Sequence, residues 1–467
     1  MLKWAFLLYG LGISGGANVI YNHALHACEQ GVEITIISRE KKTYRDASWH
    51  VGTEIFKYET LESAKEKKYD VAIATEWRSA YDIYQINANK YIYFVQSIES
   101  RFFSNPNCFL SYIAEKTYDI PYKYITETTW IKEYLKEYYN KEAEVVLNGI
   151  DKNIFSFQDA YIENKPKNHI RFLVEGSVCN WLKNVPNTIR LCREAGAEEI
   201  WLVTPDNITS YEGVDRVFSQ VPMVEMPHIY RACDVLVKLS LVEGMFGPPL
   251  EMFHCGGTAI TYDIEGAEEY LDNGYNSLVV KKNDEEAVKK AIKLLISDFD
   301  YLKKLKRNAM ETAKNWCDWD QSSSRFYSSI QSLPCVKESE LQSIKKNGEA
   351  GANIYRRVEK YIGVYPGNNR IDVLVDRYND TKKEVYIYGA GNLCKNTIIL
   401  LSEFDVPIKG IVVTKKEENP NTVMGHLVYC INDSVIKRES TLIYISTEKY
   451  YLEIYELLKS RGYTDII

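Results

Sequence analysis

The sequence predicts an α/β protein built from parallel sheets with helices on both faces. Three observations lead to this prediction. Strand-like apolar runs alternate with helix-like segments from Leu2 to about Ser297. A polar stretch at 159–168, which contains a proline, divides that alternation in two, and a shorter alternation returns near Val385. Strands that alternate with helices in this way are typical of Rossmann-like units.

The length of the chain requires more than one domain. Its 467 residues exceed the roughly 250–300 residues at which a single hydrophobic core stops growing. We expect one Rossmann-like domain at 1–160 and a second at 161–330. The segment 331–375 has many charges and no strong hydrophobic period, so we interpret it as a connector with some helix. A small Rossmann-like module follows at 376–467.

Composition and charge exclude several classes of protein. Apolar residues make up 45% and charged residues 26% of the chain, which is ordinary for a folded globular protein. The net charge of −7 argues against nucleic acid as the main partner. None of the 10 cysteines belongs to a C-x-x-C pair, so we expect neither a zinc site nor a disulfide framework. The expected location is a reducing cytosol. No run reaches the roughly 18 apolar residues of a membrane span.

The first residues allow two interpretations. Residues 1–17 loosely resemble a signal peptide, with one lysine, an apolar stretch and a run of small residues. The alternative, which we favour, is a buried strand at 4–9, a glycine loop and a helix at 18–30. A strand at 32–38 then completes a β-α-β unit, and cleavage of a signal peptide would delete its first strand.

The remaining elements follow in order along the chain. In the first domain we expect strands at 70–74, 91–96, 122–125 and 144–147 and a helix at 128–139. In the second we expect strands at 170–174, 200–203, 235–239, 258–261 and 277–280, with helices between them. Two further helices are expected after the last strand, at 289–316 and 321–330. In the third we expect strands at 385–388, 408–413 and 441–445 and helices at 392–403 and 450–460.

The segment 240–251 carries the most informative pattern, S-L-V-E-G-M-F-G-P-P-L-E, between a predicted strand and a predicted helix. The backbone amides of 244–247 can point at an anion, and the start of a helix favours negative charge. Glu251, in the first helical turn, can accept hydrogen bonds from vicinal hydroxyls such as those of a ribose. Glu243 faces the same crevice, at the carboxyl ends of parallel strands where open α/β sheets bind ligands. The alternative is a tight turn followed by a glutamate at a helix start.

In this segment the chain resembles the retaining family 4 glycosyltransferases, whose mark is two glutamates separated by seven residues within S-x-x-E-G-F-G-x-P-x-L-E. The other matches are Gly15–Gly16 with the Gly-Gly loop, Asn148–Asp151 with N-G-I-D, Lys183–Asn184 with K-N, Tyr230–Asp234 with Y-x-x-A-D and Gly266–Asn276 with G-x-x-E-x-x-x-x-G-x-N. The resemblance covers roughly residues 1–330, and several ordered matches are more specific than any one of them. It implies the GT-B architecture, in which two Rossmann-like domains face each other across a cleft.

The resemblance also implies a set of site residues. Lys183 would bind the diphosphate of a sugar donor, Glu251 its ribose and Glu243 the hydroxyls of its sugar. The implied catalytic set is Glu243, Gln96 and Glu99. The implied donor-binding set is Gly15, Gly16, Ser177, Lys183, Gly244, Met245, Phe246, Gly247, Glu251 and Glu269. No metal ligand is expected, because no Asp-x-Asp motif follows a strand and no histidine has a convincing metal-ligand partner.

The donor side departs from the family pattern at two positions. Ser177 stands where the family commonly has an arginine six residues before the lysine. The second phosphate-binding cation is therefore missing or is supplied by Arg171 or Lys238. Phe246 stands at the position of a family glycine, and Gly247 follows it. This shift changes which residue can take positive φ, so it predicts a different loop path.

The acceptor side carries Y-F-V-Q-S-I-E, where many relatives have a histidine at the place of Gln96. The pattern resembles the Y-F-x-Q-x-x-E of relatives that build bacterial surface polysaccharides, rhamnosyltransferases among them. Gln96 can hydrogen-bond a sugar but cannot act as a base. Glu99 can hold an acceptor hydroxyl, and the alternative is a solvated loop charge.

The third unit contains G-A-G-N-L-C from Gly389 to Cys394. It resembles a dinucleotide-binding G-x-G-x-x-G loop in which Cys394 replaces the third glycine. No acidic residue clearly ends the second strand, because Thr414 and Lys415 follow it. We therefore interpret the module as structural rather than as an oxidoreductase.

The resemblance as a whole implies a metal-independent retaining glycosyltransferase that uses a nucleoside-diphosphate sugar as substrate and needs no cofactor. Its partners would be that donor and a saccharide or lipid-linked acceptor of bacterial cell-surface polysaccharide synthesis. The expected location is the cytoplasm, with peripheral contact to the membrane or to other polysaccharide enzymes. The alternatives are a non-catalytic nucleotide- or sugar-binding scaffold of a polysaccharide assembly complex, and dinucleotide-dependent sugar-modifying activity in the C-terminal module.

Overall fold

The computed structural model describes residues 1–103, 109–157, 169–362, 370–446 and 450–467. The chain divides into two compact units. The first consists of Met1–Phe102 and Ala114–Gly348, and the second of Phe103–Ile113 and Glu349–Ile467. The predicted linker at 159–168 lies outside the described residues.

The first unit begins with a seven-stranded sheet. Its strands are β1 (Lys3–Leu7), β2 (Glu33–Ser38), β3 (Lys57–Thr60), β4 (Lys68–Ala74), β5 (Asn87–Val95), β6 (Lys123–Thr126) and β7 (Ala143–Val145). All are parallel, in the order β3-β2-β1-β4-β5-β6-β7. The helices of this region are α1 (Gly15–Glu29), α2 (Leu61–Ala64), α3 (Trp77–Asp82) and α5 (Thr129–Tyr139), and α4 (Phe109–Lys116) begins in the second unit and ends in the first. Strand β1 lies inside the sheet between β2 and β4, which confirms the strand interpretation, although the strand spans Lys3–Leu7 rather than 4–9.

A second parallel sheet follows in the same unit. Its strands are β8 (Arg171–Glu175), β9 (Glu199–Thr204), β10 (Arg216–Ser219), β11 (Val235–Lys238), β12 (Thr258–Asp263) and β13 (Ser277–Lys281), in the order β10-β9-β8-β11-β12-β13. Its helices are α6 (Val185–Glu194), α7 (Met226–Ala232), α8 (Gly247–His254), α9 (Glu285–Ser297) and α10 (Phe299–Asn315). The strand order reverses at β8 and β11, and the crevice at such a reversal is where open α/β sheets bind ligands.

Helix α11 (Trp319–Ser332) returns from the second sheet to the first. Its Phe326 and Ile330 are buried in the apolar core of the first sheet. The ring of His23 stacks on Phe326 with centroids 4.2 Å apart, and its Nδ1 lies 2.9 Å from Ser323 Oγ. The predicted domain limits assigned this helix to the second domain, whereas its apolar face packs with the first. Burial lowers the pKa of His23 to about 3, so this histidine is a neutral core residue.

Among the described residues from 338 onward, two helices come before a small α/β module. Helix α12 (Glu338–Ile362) occupies much of the predicted connector, and α13 (Arg370–Thr381) precedes the module. The elements of the module are β14 (Glu384–Tyr388), α14 (Asn392–Glu403), β15 (Ile408–Val413), β16 (Thr422–Val423), β17 (His426–Cys430), β18 (Thr441–Ile445) and α15 (Tyr451–Ser460). The sheet order is β16-β17-β15-β14-β18, in which only the β16–β17 pair is antiparallel.

The predicted helix at 289–316 is in fact two helices. Asp298 ends α9 and caps α10, because its side chain accepts a hydrogen bond from the N–H of Tyr301 at 2.9 Å. An aspartate that caps an N-terminus favours a new helix start over continuation of the old one. Across the described ranges, no helix is both long and apolar enough to cross a membrane.

Candidate active site

The loop at 239–246 joins β11 to α8 at the carboxyl edge of the second sheet. Gly247 is the first residue of α8, and Pro248 and Pro249 follow it in the first turn, where a missing N–H breaks no intrahelical bond. Neither Gly244 nor Gly247 has a positive φ. The shift of the glycine from 246 to 247 therefore does not act through a left-handed residue at either glycine. Gly247 begins the helix instead, and Phe246 is fully buried.

The loop approaches the first domain most closely at Gly244. A Cβ built on Gly244 would lie 1.9 Å from the carbonyl oxygen of Gln96 and 2.6 Å from Oε1 of Glu127. Trp130 Nε1 donates to the carbonyl of Gly244 at 3.0 Å, and the N–H of Met245 donates to Glu127 Oε1 at 2.7 Å. The edges of the two sheets therefore meet at a position where only glycine fits.

Glu127 is a residue of this site that the sequence analysis missed. It directly follows β6, and only 5% of it is exposed. Its Oε2 accepts a hydrogen bond from Asn148 Nδ2 at 2.8 Å, which gives the asparagine of the N-G-I-D segment a structural role. Burial raises the pKa of Glu127 to about 7, although its hydrogen bonds act in the opposite direction. A polar residue immediately after a predicted strand, at the same sheet edge as Gln96, is the signal that could have identified it.

Glu243, which lies in the loop at 239–246, forms an ion pair with Lys183. Lys183 Nζ lies 2.8 and 2.9 Å from the two carboxylate oxygens of Glu243. The lysine side chain is 30% exposed and the glutamate side chain 11%. Burial alone would raise the pKa of Glu243, but Lys183 and Lys238 hold it below its ordinary value, so the carboxylate is ionised at neutral pH.

Of the two candidates for the missing cation, only Lys238 lies at this site. Its Nζ bonds to the carboxylate of Glu175 and lies 3.8 Å from Glu243 Oε1. Arg171 lies at the amino end of β8, the opposite edge of the sheet, where its Nε donates to Glu199 at 2.7 Å. Arg171 therefore does not belong to the proposed donor site.

Glu251 lies in α8 beside the same network. It accepts a hydrogen bond from the hydroxyl of the buried Tyr230 at 3.0 Å. Because α8 begins at Gly247, Glu251 is its fifth residue and not, as predicted, a residue of the first turn. Burial raises the pKa of Glu251 to about 7, and Glu175 adds to the shift. Tyr230 belongs to the Y-x-x-A-D segment, so the hydrogen bond links two of the quoted motifs.

Two predicted donor-binding residues have protein partners in this structure. Ser177 follows β8 and donates from Oγ to Asp206 Oδ1 at 2.8 Å. Glu269 binds the start of α5, where it accepts hydrogen bonds from the N–H and, at 3.3 Å, from the hydroxyl of Thr129. Their donor-binding roles stay predictions.

Gln96 directly follows β5 and lies against the start of α1. Gly15 and Gly16 are the first residues of that helix rather than a loop before it. A Cβ on Gly16 would lie 3.4 Å from Gln96 Oε1. Gln96 Nε2 donates weakly to the carbonyl of Thr75 at 3.4 Å, whereas Oε1 is buried with no hydrogen-bond partner within the described part of the chain. A buried acceptor without a partner is suited to receive a ligand hydroxyl.

Glu99 is packed into the first domain at the same edge. Its Oε2 accepts hydrogen bonds from the N–H of Trp77 at 2.6 Å and the hydroxyl of Tyr93 at 3.1 Å. Burial, and then the nearby carboxyl of Glu76, raise the pKa of Glu99 to about 8. The interpretation of Glu99 as a solvated loop charge is therefore wrong.

We expect the free energy of unfolding to decrease between about pH 5 and pH 8. Burial raises the pKa values of Glu99, Glu127 and Glu251 to about 8, 7 and 7, against 4.5 for an ordinary glutamate. Over this range these three glutamates hold more protons in the folded chain than in the unfolded chain, so they lower stability as pH rises. Burial lowers the pKa of His23 to about 3 and that of His254 to about 4, and these two groups offset part of the decrease below about pH 6.5. One pKa unit corresponds to about 1.4 kcal/mol, so Glu127 alone accounts for roughly 2–3 kcal/mol.

Urea unfolding at pH 5.5 and pH 8 measures this effect. Glu127→Gln should reduce the pH difference, whereas Glu198→Gln, which changes a side chain that is 82% exposed, should not. An equal pH difference in all three proteins would contradict the assignment.

Two parallel, Rossmann-like sheets that meet at a ligand-binding edge define the GT-B class of fold. Solved structures support this assignment. Sucrose-phosphate synthase from Thermosynechococcus elongatus aligns with a TM-score of 0.58 and 14% identity over 71% of this chain and 98% of its own. HepE from Anabaena, in complex with UDP and glucose, aligns with a TM-score of 0.57 and 14% identity over 71% of this chain and 100% of its own. WaaG, a glycosyltransferase involved in lipopolysaccharide biosynthesis, aligns with a TM-score of 0.54 and the same identity and coverage as HepE.

Sequence comparison gives a family for part of the chain. Residues 211–312 match the family described as "Glycosyl transferases group 1", and this range includes both Glu243 and Glu251. Two uncharacterized glycosyltransferases of Methanocaldococcus jannaschii are each 24% identical, over 211 residues (41% of this chain and 54% of the relative) and over 210 residues (43% and 56%). The chain thus spans about half the length of these relatives.

Proposed function

We propose that the chain is a retaining glycosyltransferase that transfers a sugar from a nucleoside-diphosphate sugar to a saccharide or lipid-linked acceptor. The observation that supports this most is the convergence of Lys183, Glu243 and Glu251 on one edge of the second sheet, beside Gln96 of the first. The family match over 211–312 adds support, because it covers both glutamates.

The proposed donor site has groups for each part of the donor. Lys183 and the N-terminus of α8 would stabilise the negative charge that develops on the leaving diphosphate. Glu251 would bind the ribose and Glu243 the hydroxyls of the transferred sugar. In the family that the sequence resembles, the acceptor attacks from the face that the diphosphate leaves, and the leaving phosphate helps to take its proton. Such a reaction does not require a base at Gln96, whose free carbonyl oxygen would instead accept a hydrogen bond from the acceptor.

Release of a nucleoside diphosphate tests this proposal. The full chain is incubated with UDP-, dTDP- and GDP-sugars and candidate acceptors, and chromatography measures free nucleoside diphosphate. We expect release with at least one donor, and proton NMR of the product should show that the anomeric configuration is retained. A chain that binds donors without any release would be the scaffold alternative, and an inverted product would contradict the retaining mechanism.

We further propose a role in the synthesis of bacterial cell-surface polysaccharide, at the cytoplasmic side of the membrane. The Y-F-V-Q-S-I-E segment and the fold that the chain shares with WaaG support this role. A lipid-linked acceptor would require peripheral contact with the membrane. Cosedimentation of the full chain with vesicles that contain a polyprenyl-phosphate-linked sugar, compared with vesicles that lack it, measures such contact.

EDTA should leave the rate of sugar transfer nearly unchanged. In the proposed site the charge of the diphosphate is balanced by Lys183, loop amides and the start of α8, so turnover does not require a divalent ion. Initial rates are measured with and without excess EDTA. A loss of activity that magnesium or manganese restores would contradict this prediction.

We propose a structural or assembly role for the C-terminal module. A Cβ on Gly389, which has φ +105, would lie 2.9 Å from Ser446 Oγ, so this glycine is required by a close turn after β14. Dinucleotide-binding folds carry an acidic residue near the end of the second strand for the ribose. Here Thr414 follows β15, and its hydroxyl hydrogen-bonds to that of Tyr388.

NAD and NADP should therefore not change the melting temperature of the full chain at millimolar concentration. The nucleoside-diphosphate sugar that supports transfer serves as the positive control. A clear increase with NAD that disappears in Gly391→Asp would contradict the structural role, because Gly391 precedes the first residue of α14.

A further inference from the structure

Glu243 faces two lysines that differ in exposure. Lys183, which is 30% exposed, binds both of its oxygens. Lys238, which is 2% exposed, lies 3.8 Å from one of them. Lys238 is also held from the other side, because its Nζ bonds to the carboxylate of Glu175 and, at 3.3 Å, to the carbonyl oxygen of the same residue. One lysine is therefore accessible to a ligand, and the other is fixed behind the carboxylate.

This arrangement has a consequence for phosphate binding, which rests on the proposed function. Lys183 gives two of its three N–H donors to Glu243, so it must leave that carboxylate to direct more than one of them at a donor diphosphate. When it leaves, Glu243, whose side chain is only 11% exposed, loses its nearest counter-charge. An uncompensated buried carboxylate is strongly destabilising, so the exchange would be unfavourable unless a second cation remained beside it.

Lys238 has the position that this second cation needs. Its strand reads Val-Leu-Val-Lys, and all four residues are buried, so the lysine ends an otherwise apolar strand. Burying a lysine without a partner is costly. Packing alone would be served equally by an apolar residue at this position. The Glu175 carboxylate, which lies at the end of the neighbouring strand β8, instead stabilises the charge and fixes the ammonium group beside Glu243.

We propose that Lys238 is a positioning residue that keeps Glu243 neutralised when Lys183 turns to the diphosphate of the donor. Lys238 itself does not contact the phosphates in this arrangement. It allows Lys183 to exchange one anion for another, and it leaves Glu243 ionised and oriented for the donor sugar.

The test removes the buried pair as a unit. Lys238→Met alone would leave Glu175 without its cation, so the first variant is Glu175→Gln/Lys238→Met. In this variant, of the two lysines that lie beside Glu243, Lys183 alone remains as its counter-charge. We expect the affinity for the nucleoside diphosphate to fall at least about tenfold by calorimetric titration, because Lys183 stays on Glu243. The probe is whichever of UDP, dTDP, GDP and ADP the unaltered chain binds most tightly, and the matching nucleoside, which has no phosphates, should bind all variants equally.

The decisive measurement is rescue by Glu243→Gln. In the triple variant Glu175→Gln/Lys238→Met/Glu243→Gln, the neutral amide no longer holds Lys183, so most of the lost affinity should return. A double variant that binds like the unaltered chain would overturn the proposal. A triple variant that stays as weak as the double, with the same melting temperature, would overturn it too, because Lys238 would then bind phosphate directly or act only on folding. If the unaltered chain binds none of the four nucleotides, the proposed function fails, and this inference fails with it.

Discussion

Gly244→Ala should lower kcat/KM for the sugar donor about a hundredfold or more. The new Cβ would lie 1.9 Å from the carbonyl oxygen of Gln96, which is backbone and cannot rotate away as a side chain could. The loop would have to withdraw from the first domain by more than about 1 Å, and a displacement of that size near reacting groups can cost roughly a hundredfold in rate. The hydrogen bonds of the Gly244 carbonyl with Trp130 and of the Met245 amide with Glu127 would be stretched with it.

Gly247→Ala is the matched control, three residues further along the chain at the start of α8. Apart from its chain neighbours, a Cβ on Gly247 meets no described atom within 4 Å, and its φ is not positive. This variant lacks the backbone clash of Gly244→Ala, so it should keep most of its activity. Steady-state kinetics compare the activity of the two variants, and thermal melts show whether both are folded. An active Gly244→Ala variant would show that the close contact of the loop with the first domain is not part of the active conformation.

Much of the fold could be predicted from the sequence, because buried parallel strands are short apolar runs that turn residues delimit. The predicted strands at 408–413 and 441–445 coincide with β15 and β18. Four strands were missed: β3, β10, β16 and β17. β3 and β10 are edge strands of four residues without a buried residue, β16 has only two residues, and β17 has a single buried residue, Val428. Their pairing depends on the neighbouring strand rather than on a pattern of their own.

The candidate site could be predicted only in part, for a related reason. A local motif identified Glu243 and Glu251, and the structure brings Lys183 to Glu243 across 60 residues of sequence. Glu127 and Glu175 carry only the weak signal of a polar residue at the end of a strand, because the partners of each lie on a strand or loop that is adjacent in space and distant in the chain. The contact of Glu127 with Met245 in particular joins edges of two different sheets, and no spacing in the sequence encodes it.

Glu251→Gln should weaken binding of the nucleoside diphosphate, whereas Glu243→Gln should lower turnover without changing that binding. Glu251 is expected to bind the ribose, which is remote from the reacting bond. Its replacement should weaken both the nucleoside diphosphate and the intact donor, because both contain the ribose. Glu243 is expected to contact only the sugar, so Glu243→Gln should leave the affinity for the nucleoside diphosphate near that of the unaltered chain and lower kcat.

The expected sizes follow from the charged hydrogen bonds that are lost. Such a bond typically contributes about 1.5–3 kcal/mol, which corresponds to roughly tenfold to more than a hundredfold. Calorimetric titration with the nucleoside diphosphate and turnover with the intact donor are measured for both variants. Tyr230→Phe removes the hydroxyl that donates to Glu251 at 3.0 Å and keeps the carboxylate, so it should weaken nucleotide binding less than Glu251→Gln does.

The pattern of losses separates three arrangements of the donor. If Glu243→Gln loses nucleoside diphosphate binding while Glu251→Gln keeps it, the sugar and the ribose lie the other way round in the site. If both variants lose nucleoside diphosphate binding equally, the loop and α8 act as one unit. The two glutamates then stabilise the fold of that unit and do not bind separate parts of the donor. If neither variant changes binding or turnover, the segment 240–251 is only a turn and a helix start, and the ion pair of Glu243 with Lys183 serves the stability of the second sheet's edge.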